Sequence, residues 1–207
     1  MEATSLDSGE FLPIIEAFYT VQGEGFHTGK AAYFIRIGGC DIGCSWCDTK
    51  FSWSAEHHLL MPVGEIVNSA KQHPAKAIVV TGGEPTLYNL EPLCSAMKNN
   101  GIQTFIETSG AYPLTGEWDW VCLSPKQQKP AHETLYNKAD ELKVIITETS
   151  DFEWAEENAL KVNKSCKLYL QPEWSKYRRI ILPVVDYVKQ NPKWNVSLQT
   201  HKFMKIP

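Results

Sequence analysis

Three cysteines crowd into Cys40-Asp41-Ile42-Gly43-Cys44-Ser45-Trp46-Cys47, a C-x3-C-x2-C spacing, and nothing else in the chain constrains it as much. They follow an apolar run, residues 31–37, that ends at Gly38-Gly39. The run is short, β-branched and aromatic, so it predicts a strand. Three thiolates on one loop can converge on a soft metal centre: zinc, copper or an iron–sulfur cluster. A closed zinc site takes four ligands, and a [4Fe–4S] cluster held wholly by protein takes four cysteines. Three cysteines leave one iron open to a further ligand. The competing reading is a zinc knuckle completed by His27, His57 or His58.

The compartment bears on that choice. The start of the chain is polar and acidic, without the charged and apolar regions of a signal peptide. No apolar run approaches the ~18 residues that span a bilayer. A cytoplasmic protein is therefore expected, where clustered cysteines are ligands rather than disulfides. Cys94, Cys122 and Cys166 stand among apolar neighbours and read as packing residues. A net charge of −4 argues against a general nucleic-acid binder. With 207 residues, a single domain over 1–207 is expected, its first 12 residues frayed.

Along the chain, strands are expected at 14–21 (or a lead-in), 31–37, 76–81, 102–106, 118–123, 142–146, 167–170 and 194–198. Helices are expected at 63–72, 87–99, 151–162 and 177–190, with a weak one at 133–137. Pro183 should bend or delay the helix over 177–190. Residues 51–61 read as a surface loop. This alternation means βαβ units and a parallel sheet, either doubly wound or an incomplete barrel. Polar punctuation follows successive strands at their carboxyl ends, where α/β proteins build sites. Arg36, inside an apolar strand, needs an anionic partner or water, which makes it a candidate clamp for a carboxylate.

The cysteine spacing resembles that of the radical S-adenosylmethionine (SAM) enzymes. Gly82-Gly83-Glu84-Pro85, at the next strand end, resembles that family's second hallmark, whose backbone meets the methionine end of SAM. More of the chain resembles one branch, the 7-carboxy-7-deazaguanine synthases. The matching pieces are Val21-Gln22-Gly23-Glu24-Gly25, Arg36, Cys47-Asp48-Thr49, Val80-Thr81 with the glycine segment, Ser124-Pro125-Lys126, Gln171-Pro172 and Gln199-Thr200-His201-Lys202. Some members carry a long insertion between the first two cysteines; this chain does not.

The resemblance implies an incomplete TIM-type barrel of about six parallel strands with reduced helices. It implies radical ring contraction of 6-carboxy-5,6,7,8-tetrahydropterin to 7-carboxy-7-deazaguanine, with loss of ammonia, toward queuosine and other deazapurines. The implied cofactors are a [4Fe–4S] cluster on Cys40, Cys44 and Cys47, SAM, and Mg2+ at Thr49. SAM would meet Trp46, Cys47, Asp48, Gly83, Ser124, Pro125, Lys126, Gln171, Pro172, Glu173 and Trp174. The pterin would meet Val21, Gln22, Gly23, Arg36, Thr81 and Pro207, with Glu107, Gln199 and His201 as further contacts. An external flavodoxin-like electron donor and a homodimer are implied too. Two rivals are a glycyl-radical activase acting on a protein, and a zinc-stabilised binding module.

Overall fold

The computed structural model describes residues 7–56 and 58–207. The strands are β1 Phe11–Val21, β2 Ala31–Ile37, β3 Leu59–Pro62, β4 Ala77–Gly82, β5 Gln103–Thr108, β6 Trp120–Leu123, β7 Glu141–Ile146, β8 Lys167–Pro172 and β9 Trp194–Val196. They form one sheet in the order β3-β1-β2-β4-β5-β6-β7-β8-β9. From β2 to β9 the neighbours in that order run parallel. β1 lies antiparallel to both β2 and β3. The helices are α1 Val63–Lys71, α2 Glu91–Asn99, α3 Glu133–Tyr136, α4 Asp151–Ala159, α5 Tyr177–Gln190 and α6 Thr200–Met204. No helix among the described residues is long and apolar enough to cross a membrane.

The parallel strands are apolar on both faces because helices cover one and the sheet curls round the other. On the helix side, Ile35, Ile78, Val80, Ile106, Leu123, Leu142 and Val144 pack with Ile66 of α1 and Leu93 and Met97 of α2. Ala32, Phe34, Ala77 and Val79 pack separately with Phe18 and Phe105. Side chains alternate between faces along a strand. The residues that continue this second face toward the carboxyl ends are therefore Arg36, Thr81, Glu107, Lys143 and Gln171. Along β2 and β4, and from Phe105 to Glu107 in β5, this face thus changes from apolar to polar toward the carboxyl ends.

β3 and β9 are free edges, so the sheet does not close, consistent with an incomplete barrel. The parallel part has seven strands rather than about six, and β1 and β3 extend it. The loop expected at 51–61 contains β3, which exists because β1 supplies a partner. α6 spans only five residues, too few for a periodic signal. The expected fraying of residues 1–12 is wrong from residue 7 on: Leu12 of β1 is fully buried. Residues 1–6 lie outside the described residues. Pro183 sits inside α5, which nonetheless runs unbroken from Tyr177 to Gln190.

Glu141 of β7 is 2% exposed. Its Oε2 accepts from the Phe26 backbone N–H (3.1 Å) and Trp120 Nε1 (3.2 Å), while Oε1 has no partner. Burial, reinforced by Glu107, raises its carboxyl to about 7. The folded value lies above the unfolded one, so this group favours folding most below the usual carboxylate range. That contribution is lost as pH rises toward 7. In chemical denaturation from pH 5 to 8, Glu141→Gln should therefore gain on the parent as pH rises. The gain should be on the order of 3 kcal/mol by pH 8; parallel stability curves would refute the assignment.

Candidate active site

A cavity of about 500 Å³ opens on the concave face at the carboxyl ends of the strands. Cys40, Cys44 and Cys47 all stand on its wall, on the loop after β2. The Cys47 N–H donates to the Cys44 carbonyl at 3.1 Å, which curls that loop. Burial raises the thiols of Cys40 and Cys44, with neighbouring Cys47 adding to both. Metal loading there displaces protons. Cys94, Cys122 and Cys166 are buried elsewhere, and burial pushes the thiols of Cys94 and Cys166 up to about 12.

The cysteine loop is docked on the segment after β4 by two backbone contacts and by the Tyr88 hydroxyl, which donates to the Gly38 carbonyl at 2.7 Å. Gly83 N–H donates to the Ile37 carbonyl and Glu84 N–H to the Gly39 carbonyl, both at 2.8 Å. A Cβ on Gly82 would lie 2.1 Å from the Ile37 oxygen, and Gly82 has φ +142°. A Cβ on Gly83 would lie 2.2 Å from the Gly39 oxygen. The glycines are thus required first by this close approach. Glu84 beneath them is 1% exposed. It accepts from Thr86 and from Thr108 and Ser109 at the end of β5, so it fastens two strand ends together.

The polar floor is built round Lys143, whose side chain is 4% exposed and pairs with Glu24 (2.6 Å) and Glu107 (2.7 Å). Burial alone would raise the Glu24 carboxyl, but the Lys143 ammonium holds it down at about 2. Burial would lower Lys143, yet the anionic groups around it carry it well above its ordinary value. Gln22 Nε2 donates to Glu107 at 3.1 Å and Gln199 Nε2 to Glu24 at 2.8 Å. Lys143 was missed by sequence reasoning. The signal was the one used for Arg36: a cation in an apolar strand.

Most of the expected residues meet in this cavity. Thr49, Trp46, Asp48, Gly83, Ser124, Lys126, Gln171, Pro172, Glu173 and Trp174 line it. So do Val21, Gln22, Gly23, Arg36, Thr81 and Pro207, together with Glu107, Gln199 and His201. Pro125 is the exception: it is buried behind the wall. Arg36 has a protein partner, since its Nε donates to Glu16 of β1 at 2.7 Å. Its terminal nitrogens make no hydrogen bond among the described residues. Lys126 donates to both oxygens of Ser124 and lies 5.5 Å from the Trp46 ring centre. Burial lowers its ammonium. Glu173 caps the turn over 174–176, accepting from Ser175 and Lys176. Gly23 is glycine because His201 of α6 packs 2.2 Å from where its Cβ would be. Burial keeps His201 below the usual histidine range.

A zinc knuckle would draw its ligand sulfurs to roughly 3.8 Å of one another round a single ion, given Zn–S of ~2.3 Å. Among the described residues, no three His, Cys, Asp or Glu side chains could hold one metal ion. His27 is stacked on Phe105 (4.6 Å) and edge-on to Trp120 (4.5 Å), and His57 lies outside the described residues. Three thiols on one wall, with no fourth cysteine beside them, fit an iron–sulfur cluster with an open corner instead.

Comparison with known proteins agrees. Residues 34–121 match the model of the Radical SAM superfamily. The chain is 56% identical to a 7-carboxy-7-deazaguanine synthase from Flavobacterium psychrophilum, covering 98% of this chain and 96% of that protein. A protein of the same name from Escherichia coli K12 is 33% identical, covering 94% and 98%. The crystal structure of QueE from Escherichia coli superposes with a TM-score of 0.83 at 28% identity, covering 97% and 99%.

The glycine contact is directly testable. Gly83→Ala should push the cysteine loop away, lowering the melting temperature by about 3–10 °C and the iron bound per chain together. Wild-type iron content in this variant would show that the loop tolerates the methyl group.

Proposed function

The chain belongs to the 7-carboxy-7-deazaguanine synthases, a family of radical SAM enzymes, and from that footing we propose how its own residues serve the reaction. It converts 6-carboxy-5,6,7,8-tetrahydropterin into 7-carboxy-7-deazaguanine with release of ammonia, in queuosine and deazapurine biosynthesis. One observation carries the residue-level reading: three thiols, and no fourth, share a cavity wall with Gly82-Gly83. When bound, the [4Fe–4S] cluster and SAM supply the radical chemistry; the protein's part is to bind, orient and shield.

Cys40, Cys44 and Cys47 hold the cluster. SAM would lie along Trp46, Cys47, Asp48, Gly83, residues 124–126 and residues 171–174. Of these, Pro125 and Glu173 act by shaping the wall, because one is buried and the other caps a turn. Arg36 takes the substrate carboxylate on the terminal nitrogens that Glu16 leaves free. Val21, Gln22, Gly23, Thr81 and Pro207 meet the pterin. Lys143 keeps Glu107 and Gln22 in place under it. Thr49 would offer one oxygen to Mg2+, an ion that takes few protein ligands. Residues 1–207 serve as one domain, in the cytoplasm. An external flavodoxin-like donor supplies the electron. A homodimer is the working unit, for which Leu182 and Val185, exposed on one side of α5, offer an apolar surface.

Anaerobic reconstitution with iron and sulfide, then assay with SAM, reductant and carboxytetrahydropterin, tests the whole reading. Iron and sulfide in the product set it apart from a colourless zinc module. Turnover of the pterin sets it apart from an activase. Cys44→Ala should lose the cluster and all SAM cleavage while the protein still folds; 5′-deoxyadenosine made by this variant would falsify the cluster assignment. Arg36→Ala should raise the KM for the pterin by roughly 10- to 100-fold, the loss of one charge-assisted contact. SAM affinity should be unchanged, and an unaltered KM would return Arg36 to a structural pair with Glu16.

A further inference from the structure

α6 is too short to hold its place by helix propensity, since one turn does not repay nucleation. Its position is set by what it touches. At its start, the Thr200 N–H and Oγ1 both donate to the Gly23 carbonyl, at 2.8 and 2.9 Å. In its middle, Lys202 Nζ donates to Asp48 Oδ2 at 2.5 Å and to Gln199 Oε1 at 3.1 Å. The same ammonium lies 5.2 Å from the centre of the Trp174 ring. Trp174 in turn meets Phe203 edge-on, at 5.2 Å. Asp48 directly follows Cys47, and Lys202, Asp48, Trp174 and Pro207 all line the cavity. The Lys202 side chain is 19% exposed and that of Asp48 52%. One lysine therefore joins the cysteine loop, the loop after β8 and the C-terminal segment.

We infer that Lys202 is a positioning residue for the reaction: by bridging Asp48 and Trp174 it fixes the C-terminal segment, Pro207 included, as a wall of the pterin site. The inference rests on the pterin occupying this cavity, as set out above. Lys202 acts through the segment it anchors. Its loss should therefore weaken pterin binding more than it slows turnover, and should spare the cluster.

The test uses the full chain, reconstituted anaerobically, as parent, K202M, K202R, D48N and the K202M/D48N double variant. Methionine keeps the stem over Trp174 and removes the charge. K202M is expected to raise the pterin KM about tenfold, with kcat within about threefold and iron per chain unchanged. K202R should recover most of the loss. In the D48N background K202M should cost less than it does in the parent, as a shared contact requires. Amide hydrogen exchange across residues 200–206 should quicken in K202M and D48N without any ligand present. Independent, multiplying losses in the double variant would overturn the bridge, as would an unmoved KM or unmoved exchange. A parallel fall in iron content would make Lys202 merely structural and overturn it too. If the parent itself turns over no pterin, the functional reading fails, and exchange alone then decides whether the bridge exists.

Discussion

Two backbone segments that approach closer than any side chain allows set the geometry of this protein. The loop after β4 lies on the loop after β2 with Gly82 and Gly83 against the Ile37 and Gly39 carbonyls. That contact decides where the three thiols stand relative to the sheet. Because both loops leave parallel strands at the same end, the thiols face the concave surface rather than solvent. Glu84 extends the constraint sideways, since its carboxylate is shared between its own turn and the end of β5. The cysteine loop is thus located first by main chain, with the Tyr88 hydroxyl on the Gly38 carbonyl as its side-chain support.

The second constraint is electrostatic. A lysine in the middle of a sheet is tolerated only where anions surround it. Lys143 meets that condition with two carboxylates from distant parts of the chain, Glu24 after β1 and Glu107 on β5. Each carboxylate then engages an amide, Gln199 and Gln22 respectively. The network draws the first loop, the middle of the sheet and the C-terminal segment to one floor. Gly25 and Ser197 add a neutral tie between the same two ends, the glycine N–H donating to the serine oxygen at 2.9 Å.

Much of this was legible in the residues. The strand–helix alternation placed β2, β4, β5, β7 and β8 within a residue or two, because a strand buried on both faces reads as an unbroken apolar run. The cysteine spacing and the glycine segment both fall on one wall of the cavity. β3 and α6 were illegible for the same reason: each is too short to declare itself and exists because of a distant partner. Lys143 was legible in principle, since the argument that singled out Arg36 applies to it unchanged. The partner Glu16 of Arg36 was not, because an antiparallel register between β1 and β2 decides it. Pro125 shows the limit of carrying a whole motif over: its neighbours face the cavity and it does not.

The cations of the pit are nearly all answered within the protein. Lys143 is met by Glu24 and Glu107, Arg36 by Glu16 and Lys202 by Asp48, while Lys126 donates to the neutral oxygens of Ser124 beside the Trp46 ring. A charged molecule entering such a lining exchanges partners rather than filling a vacancy, so its selection depends on how well its groups match positions already held by the network.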